Sequence, residues 1–170
     1  MSKAASAVPA PPPNLNPEPH QFSMPADPMW AQRFAYAATD KNPVYFDDAA
    51  AKAGGYECKI APILFASSML EYQAGPAEED LKEDGVTRGL FPKIVKDGAI
   101  LMGGGQEIEF FEPLYQGDTF TARRTVINHY KKPSPKRGEL DFIVMESIIT
   151  NQKGQKLMRI VDTLIAKQPD

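Results

Sequence analysis

Asp40, Asn42 and Tyr45 lie in the run Thr39-Asp40-Lys41-Asn42-Pro43-Val44-Tyr45. Pro43 fixes the backbone between them, so two short polar side chains and a phenol share one turn, an arrangement like a polar clamp. Two readings of Asp40 and Asn42 are open. In the first they are turn residues whose side chains bond neighbouring backbone and need no ligand. In the second Asp40 polarises a water while Asn42 holds the loop or a substrate. A solitary carboxylate titrates near about pH 4 and is a poor base without help. Histidine is the natural helper near neutrality. The chain has two, His20 and His129. His20 falls in a proline-rich tail. His129 reads as a surface residue at the end of a strand.

The remaining candidates for chemistry are weaker. Gly103-Gly104-Gly105-Gln106 lacks the Gly-Lys-Ser or Gly-Lys-Thr ending of a phosphate loop. Three glycines before a strand admit close backbone approach, which in a thioester site would put an amide near the acyl group. Cys58 is the single cysteine, with no partner for a disulfide or a Cys-x-x-Cys motif. The shortage of soft and imidazole ligands argues against a metal site. Ser67-Ser68 has no Gly-x-Ser-x-Gly elbow around it.

The elements that must position these residues fall into two halves. Residues 1–25 form a flexible proline-rich tail, and residues 26–168 form one domain. Asp27 and Pro28 open a helix through Met29, Trp30, Phe34 and Ala37. Asp47 or Asp48 caps a second short helix that ends at Gly54-Gly55. Pro62 begins a longer helix towards Gly75, with Phe65, Met69 and Tyr72 in one stripe. Residues 76–98 read as a mobile, charged excursion with an apolar patch at Leu90, Phe91 and Ile94. Gly103-Gly104-Gly105 marks a break.

Strands follow. Ile108 and Phe110 alternate with Glu107 and Glu109. Phe120, Ala122 and Val126 share a face, with Arg124 intruding on it. Tyr130 to Gly138 reads as a loop. Leu140 to Ile149 is apolar on both faces, so that strand should be central and covered on both sides. Asn151-Gln152-Lys153-Gly154 is a hairpin turn leading into the last strand. Helices first and a strand meander later give an α+β order.

Composition limits the functions. The 170 residues are 42% hydrophobic and 24% charged, with a net charge of −3. There is no basic stripe of the kind that supplies nucleic-acid affinity, so no nucleic-acid partner is expected. The N-terminus has no apolar signal region, and no apolar run reaches the roughly 20 residues that span a bilayer. With one unpaired cysteine, this points to a cytoplasmic protein with no membrane partner.

Four pieces of the chain carry a resemblance to a known family. They are Phe34 to Asp47, Gly55-Tyr56 through Ile60-Ala61-Pro62, Gln106 to Phe110 with Pro113-Leu114 and Gly117-Asp118, and the turn Asn151-Gln152-Lys153-Gly154. Together they resemble the MaoC-like hotdog-fold dehydratases and hydratases, in the branch similar to the dehydratase domain of type I fatty acid synthase. The resemblance implies a hotdog fold, a curved antiparallel sheet wrapped around a central helix from Pro62 to Gly75. It implies action on an acyl-CoA or acyl-carrier-protein thioester, with no cofactor and no metal. Active members carry Asp-x-Asn-Pro-x-His, whose Asp and His activate water. Here Asp40, Asn42 and Pro43 match, and Tyr45 stands where the His would be. The resemblance therefore implies a vestigial or assisting site at Asp40, Asn42 and Tyr45. Gly103, Gly104, Gly105 and Gln106 would lie beside the thioester. The chain would be the substrate-binding half of an (R)-specific enoyl-thioester hydratase or 3-hydroxyacyl-thioester dehydratase, in a heterodimer with a homologous hotdog subunit that carries the Asp/His pair. A self-sufficient homodimeric enoyl-CoA hydratase and a non-enzymatic acyl-thioester binding module are the alternatives.

Overall fold

The computed structural model describes residues 20–70, 77–81 and 91–169. The chain opens with strand β1 (His20–Pro25) and helix α1 (Pro28–Ala37). A 3-10 turn (Pro43–Tyr45), helix α2 (Asp48–Ala53) and helix α3 (Phe65–Ser68) follow. A second 3-10 turn (Glu78–Asp80) precedes four long strands: β2 (Ile100–Phe110), β3 (Thr119–Ser134), β4 (Gly138–Asn151) and β5 (Lys156–Lys167). His20–Pro25, read from the sequence as tail, pairs with Thr119 to Arg124 of β3.

The α+β order and the antiparallel sheet are as expected. The wrap around a long central helix is not. The five strands form one open sheet in the order β1-β3-β4-β5-β2, with β1 and β2 as its edges. The expected helix from Pro62 to Gly75 is the four-residue α3, with residues 71–76 outside the described chain. Local hydrogen bonding explains its brevity. Ser67 Oγ donates to the Leu64 carbonyl at 2.8 Å, and Ser68 Oγ donates to the Phe65 carbonyl at 2.7 Å. Such back-bonds compete with the helical ladder. The amides of Met69 and Leu70 accordingly bond three residues back, in the tighter 3-10 pattern.

Two β-bulges set which side chains face the covered side of the sheet. In β3 the register shifts between Val126 and Asn128, which brings His129 opposite Ile143. In β2 it shifts between Gly103 and Gly105, which brings Gln106 opposite Asp162. The glycines expected to break the chain are therefore inside a strand, and the expected loop from Tyr130 runs on as β3 to Ser134. β4 is central, but only one of its faces is fully buried; Leu140, Phe142, Val144 and Ile148 on the other are half-buried.

The buried face carries two apolar clusters. The larger joins Ala31, Phe65, Phe120, Ile149 and Ile160, with Phe34 set edge-on to Phe65. The smaller joins Val126, Ile143 and Met145, with Ile94 and Val95 packed on them. Between the clusters lies a polar row across the strands, formed by Arg124, Ser147, Asp162 and Gln106.

Candidate active site

The turn that carries Asp40 is built by a helix end. Asp27 caps α1 by accepting from the Trp30 amide at 3.0 Å, and Pro28 starts it. At the far end the Asp40 amide reaches back to the Ala35 carbonyl at 2.9 Å and the Thr39 amide to Tyr36 at 3.0 Å. This closure needs a left-handed residue, and Thr39 takes that place at φ 56°. A β-branched residue there is strained. The strain turns the chain directly into Asp40.

Asp40 Oδ1 accepts from the Asn42 amide at 3.0 Å, and Asn42 Oδ1 accepts from the Val44 amide at 3.3 Å. Asn42 thereby caps the 3-10 turn that Pro43 begins. Turn chemistry thus occupies one oxygen of each side chain. The same turn buries Tyr45, which is 7% exposed, while Asp40 and Asn42 stay exposed. Burial pushes the Tyr45 phenol above its ordinary value, and the charge of Asp40 and a hydrogen bond to Asp40 push it further the same way. The Tyr45 phenol is therefore protonated near neutrality.

Gln116, which the sequence reading did not single out, fastens this turn to the Lys59-Ile60 segment and to the connection between β2 and β3. Its Nε2 donates to the Tyr45 carbonyl at 2.7 Å and to the Ile60 carbonyl at 2.9 Å, and its backbone amide donates to Lys59 at 3.0 Å. No local signal marks it, because its partners lie far away in sequence.

Asn42, Tyr45 and Glu112 bring polar groups to the lining of a cleft of about 500 Å³, which Asp40 does not line. Tyr56, Ile63, Phe111 and Leu157 are among its apolar lining. Ile63, Phe110 and Phe111 are 59%, 46% and 49% exposed, so an apolar rim faces outward. A mostly apolar cleft with a few polar groups suits a largely apolar ligand with a polar group.

The other expected site residues lie elsewhere. Gly103, Gly105 and Gln106 line a separate cavity of about 470 Å³, together with Phe91, Arg124 and Asp162, and none of these lines the Tyr45 cleft. Gly104 is packed against β5, where a Cβ would lie 2.7 Å from Thr163 Cγ2. Within one chain the glycine run and the Asp40 turn do not converge on one cavity.

His129 is not a surface residue. Its Nε2 lies 2.6 Å from Asp141 Oδ1, and the two side chains are 17% and 6% exposed. Burial pushes the Asp141 carboxyl up, but hydrogen bonds from His129 and Gln168, with the charges of His129 and Lys131, outweigh it and hold the group below its ordinary value. Gln168 also ties down the segment before β2. It donates to the Ile94 carbonyl at 3.0 Å and accepts from the Lys96 amide at 3.1 Å. Cys58 is half-buried, and burial, then the nearby Asp48, Asp118 and Glu57 charges, push its thiol up, away from the reactive thiolate. Among the described residues no three His, Cys, Asp or Glu side chains converge to hold a metal, and no helix is long and apolar enough to cross a membrane.

The family described as "FAS1-like, dehydratase domain region" matches residues 31–160. A "UPF0336 protein" of Saccharopolyspora erythraea is 30% identical over 136 residues, covering 80% of this chain and 77% of its own. Two solved structures from Mycobacterium tuberculosis share the fold. The ChsH1-ChsH2 complex matches with a TM-score of 0.67 at 18% identity, covering 89% of this chain and 88% of that one. The HadBC (3R-hydroxyacyl-ACP dehydratase) complex matches with a TM-score of 0.61 at 22% identity, covering 87% and 93%. With 130 consecutive residues spanned from 31 to 160, the chain belongs to the FAS1-like dehydratase domain region family.

Proposed function

We propose that this chain is the substrate-binding half of an (R)-specific enoyl-thioester hydratase or 3-hydroxyacyl-thioester dehydratase, working with a homologous subunit that supplies the Asp/His pair. Tyr45 is the observation that carries this reading. Hydration adds the oxygen of water to the β-carbon of the enoyl thioester and a proton to the α-carbon. Some group must take a proton from that water, and a base of this kind contributes about 10²–10⁴-fold. Tyr45 occupies the place of the family's histidine, and its phenol is held in the protonated form by burial and by Asp40. It is a donor where the reaction needs an acceptor.

Asn42 and Tyr45, in the lining of the mostly apolar cleft, remain suited to shaping an acyl site. β2, which carries Gly103 to Gln106, is an edge among the described strands, and this supports a partner that meets the chain there. The two related structures named above are both complexes, which supports a paired assembly. The substrate would be a CoA or acyl-carrier-protein thioester. Adding or removing water moves no net electrons, so the reaction as proposed calls for no redox cofactor.

The rival reading is a homomeric hydratase that uses its own histidine. The close His129–Asp141 pair favours it, because an oriented imidazole is the usual base. Crotonyl-CoA hydration separates the two. Activity of the isolated chain, lost in Asp40→Asn or His129→Gln, would establish the rival. Activity confined to the pair with the homologous subunit supports the proposal. Crotonyl-CoA binding without turnover in either setting would point to a binding module.

A further inference from the structure

The second cavity differs in kind from the Tyr45 cleft. Phe91, Met145 and Leu164 give it apolar walls, and the polar row between the two apolar clusters gives it a floor. Arg124 on β3 faces Ser147 on β4, and its Nε donates to Ser147 Oγ at 3.1 Å. Its Nη2 lies 3.6 Å from Asp162 Oδ2 on β5. Gln106 closes the row from β2, with Nε2 donating to Asp162 Oδ1 at 2.6 Å.

As a stabilising device this row is poor. The Arg124 and Asp162 side chains are only 12% and 19% exposed, so both charges are largely desolvated. At 3.6 Å their attraction is weak compensation, and apolar residues in the same row would stabilise the core at least as well. The row nevertheless has a dedicated backbone. Without the bulge in β2, Gln106 would pair with Val161 and face away from Asp162. Gly105 makes the bulge at φ 125°, and Gly104 lies where a Cβ would meet the Thr163 carbonyl oxygen at 2.9 Å. Bulges that re-aim one side chain are common beside binding sites.

The free hydrogen-bonding capacity defines the ligand. Arg124 Nη1 has no partner among the described residues, and neither has Gln106 Oε1. These leave a donor and an acceptor beside the apolar walls, with Asp162 Oδ2, 3.6 Å from Arg124 Nη2, as a further acceptor. Asp162 balances the Arg124 charge, so the site has no preference for an anion. We propose that this cavity binds an apolar ligand bearing one neutral oxygen function, a hydroxyl or a carbonyl, which Arg124 and Gln106 receive between the two apolar clusters. The proposal does not rest on the hydratase reading.

The test is an NMR titration of the full chain with 1-octanol, 2-octanone and octanoate, following the Arg124 Nε–H and the Gln106 side-chain amide. Saturable shifts of both groups are expected with the two neutral probes, and octanoate should bind about tenfold more weakly because a carboxylate meets the Asp162 charge. Arg124→Met should weaken both neutral probes about tenfold by removing the charged donor among the described lining residues. That variant strands Asp162, so Gln106→Leu at the sheet edge provides a second reading. It should weaken 1-octanol about fivefold and 2-octanone less than about twofold, because only the hydroxyl needs an acceptor. No saturable shift at either group, or tighter binding of octanoate, would overturn the proposal. These titrations involve no turnover, so their result is independent of any hydration assay.

Discussion

His129 Nε2 sits 2.6 Å from Asp141 Oδ1, on the buried face of the sheet and away from the cleft lined by Asn42 and Tyr45. The bulge between Val126 and Asn128 turns His129 to that face. Removing the ring would take from a carboxylate that is 6% exposed its partner at 2.6 Å, leaving Gln168 and the Lys131 charge. His129→Ala is therefore expected to cost about 3 kcal/mol, the lower end of the loss on breaking a buried pair. Urea unfolding near neutral pH measures it, and a cost below about 1 kcal/mol would mean that the pair behaves as a surface one.

The same pair gives the stability a sign with pH. The folded-state pKa of Asp141 is depressed, so its contribution is complete above the unfolded-state value of about 3.9 and is lost as pH falls through the folded value. Asp141→Asn should thus be less stable than the parent chain between about pH 5 and 7, with the gap closing below about pH 4. Denaturant melts across that range check it. A gap that grows as the pH falls would contradict the assignment.

Thr39 offers a change in the opposite direction. It holds φ 56° at the end of α1, a conformation that glycine adopts without strain. Thr39→Gly is expected to stabilise the fold by about 1 kcal/mol, the strain relieved less the added freedom of the unfolded chain. Thermal melting would show a higher Tm. An unchanged or lower Tm would show that the Thr39 side chain makes compensating contacts.

Local signals in the sequence were enough for the cap at Asp27-Pro28 and the hairpin turn at Asn151 to Gly154, where Gly154 takes φ 76°. The turn at Asp40 to Tyr45 was equally legible, because proline and short polar residues act within a few positions. Non-local features were not legible. A strand read with an unbroken period of two cannot reveal an extra residue, so both bulges were invisible, and with them the placement of His129 and Gln106. Arg124 did break the apolar pattern of β3, and that was the one visible trace of the polar row. The stripe of Phe65, Met69 and Tyr72 suggested a long helix, yet Ser67 and Ser68 bond back to the carbonyls that would continue it. The Tyr45 substitution was readable only beside the family's motif.

The bulge in β2 can be tested directly. A Cβ at Gly104 would stand 2.7 Å from Thr163 Cγ2 and 2.9 Å from the Thr163 carbonyl oxygen. Backbone cannot swing aside as a side chain can, so Gly104→Ala should destabilise by about 2 kcal/mol. It should also shift the Gln106 side-chain amide resonance as its bond to Asp162 is disturbed. An unchanged melt and spectrum would mean that the edge strand adapts freely.

In the proposed assembly a homologous partner supplies the base that Tyr45 cannot. Crotonyl-CoA hydration by the purified chain, alone and with its homologous subunit, tests it most directly. The isolated chain is expected to fall about 10²–10⁴-fold below the pair, the usual contribution of a positioned base. Hydration by the isolated chain at the rate of the pair would contradict the account.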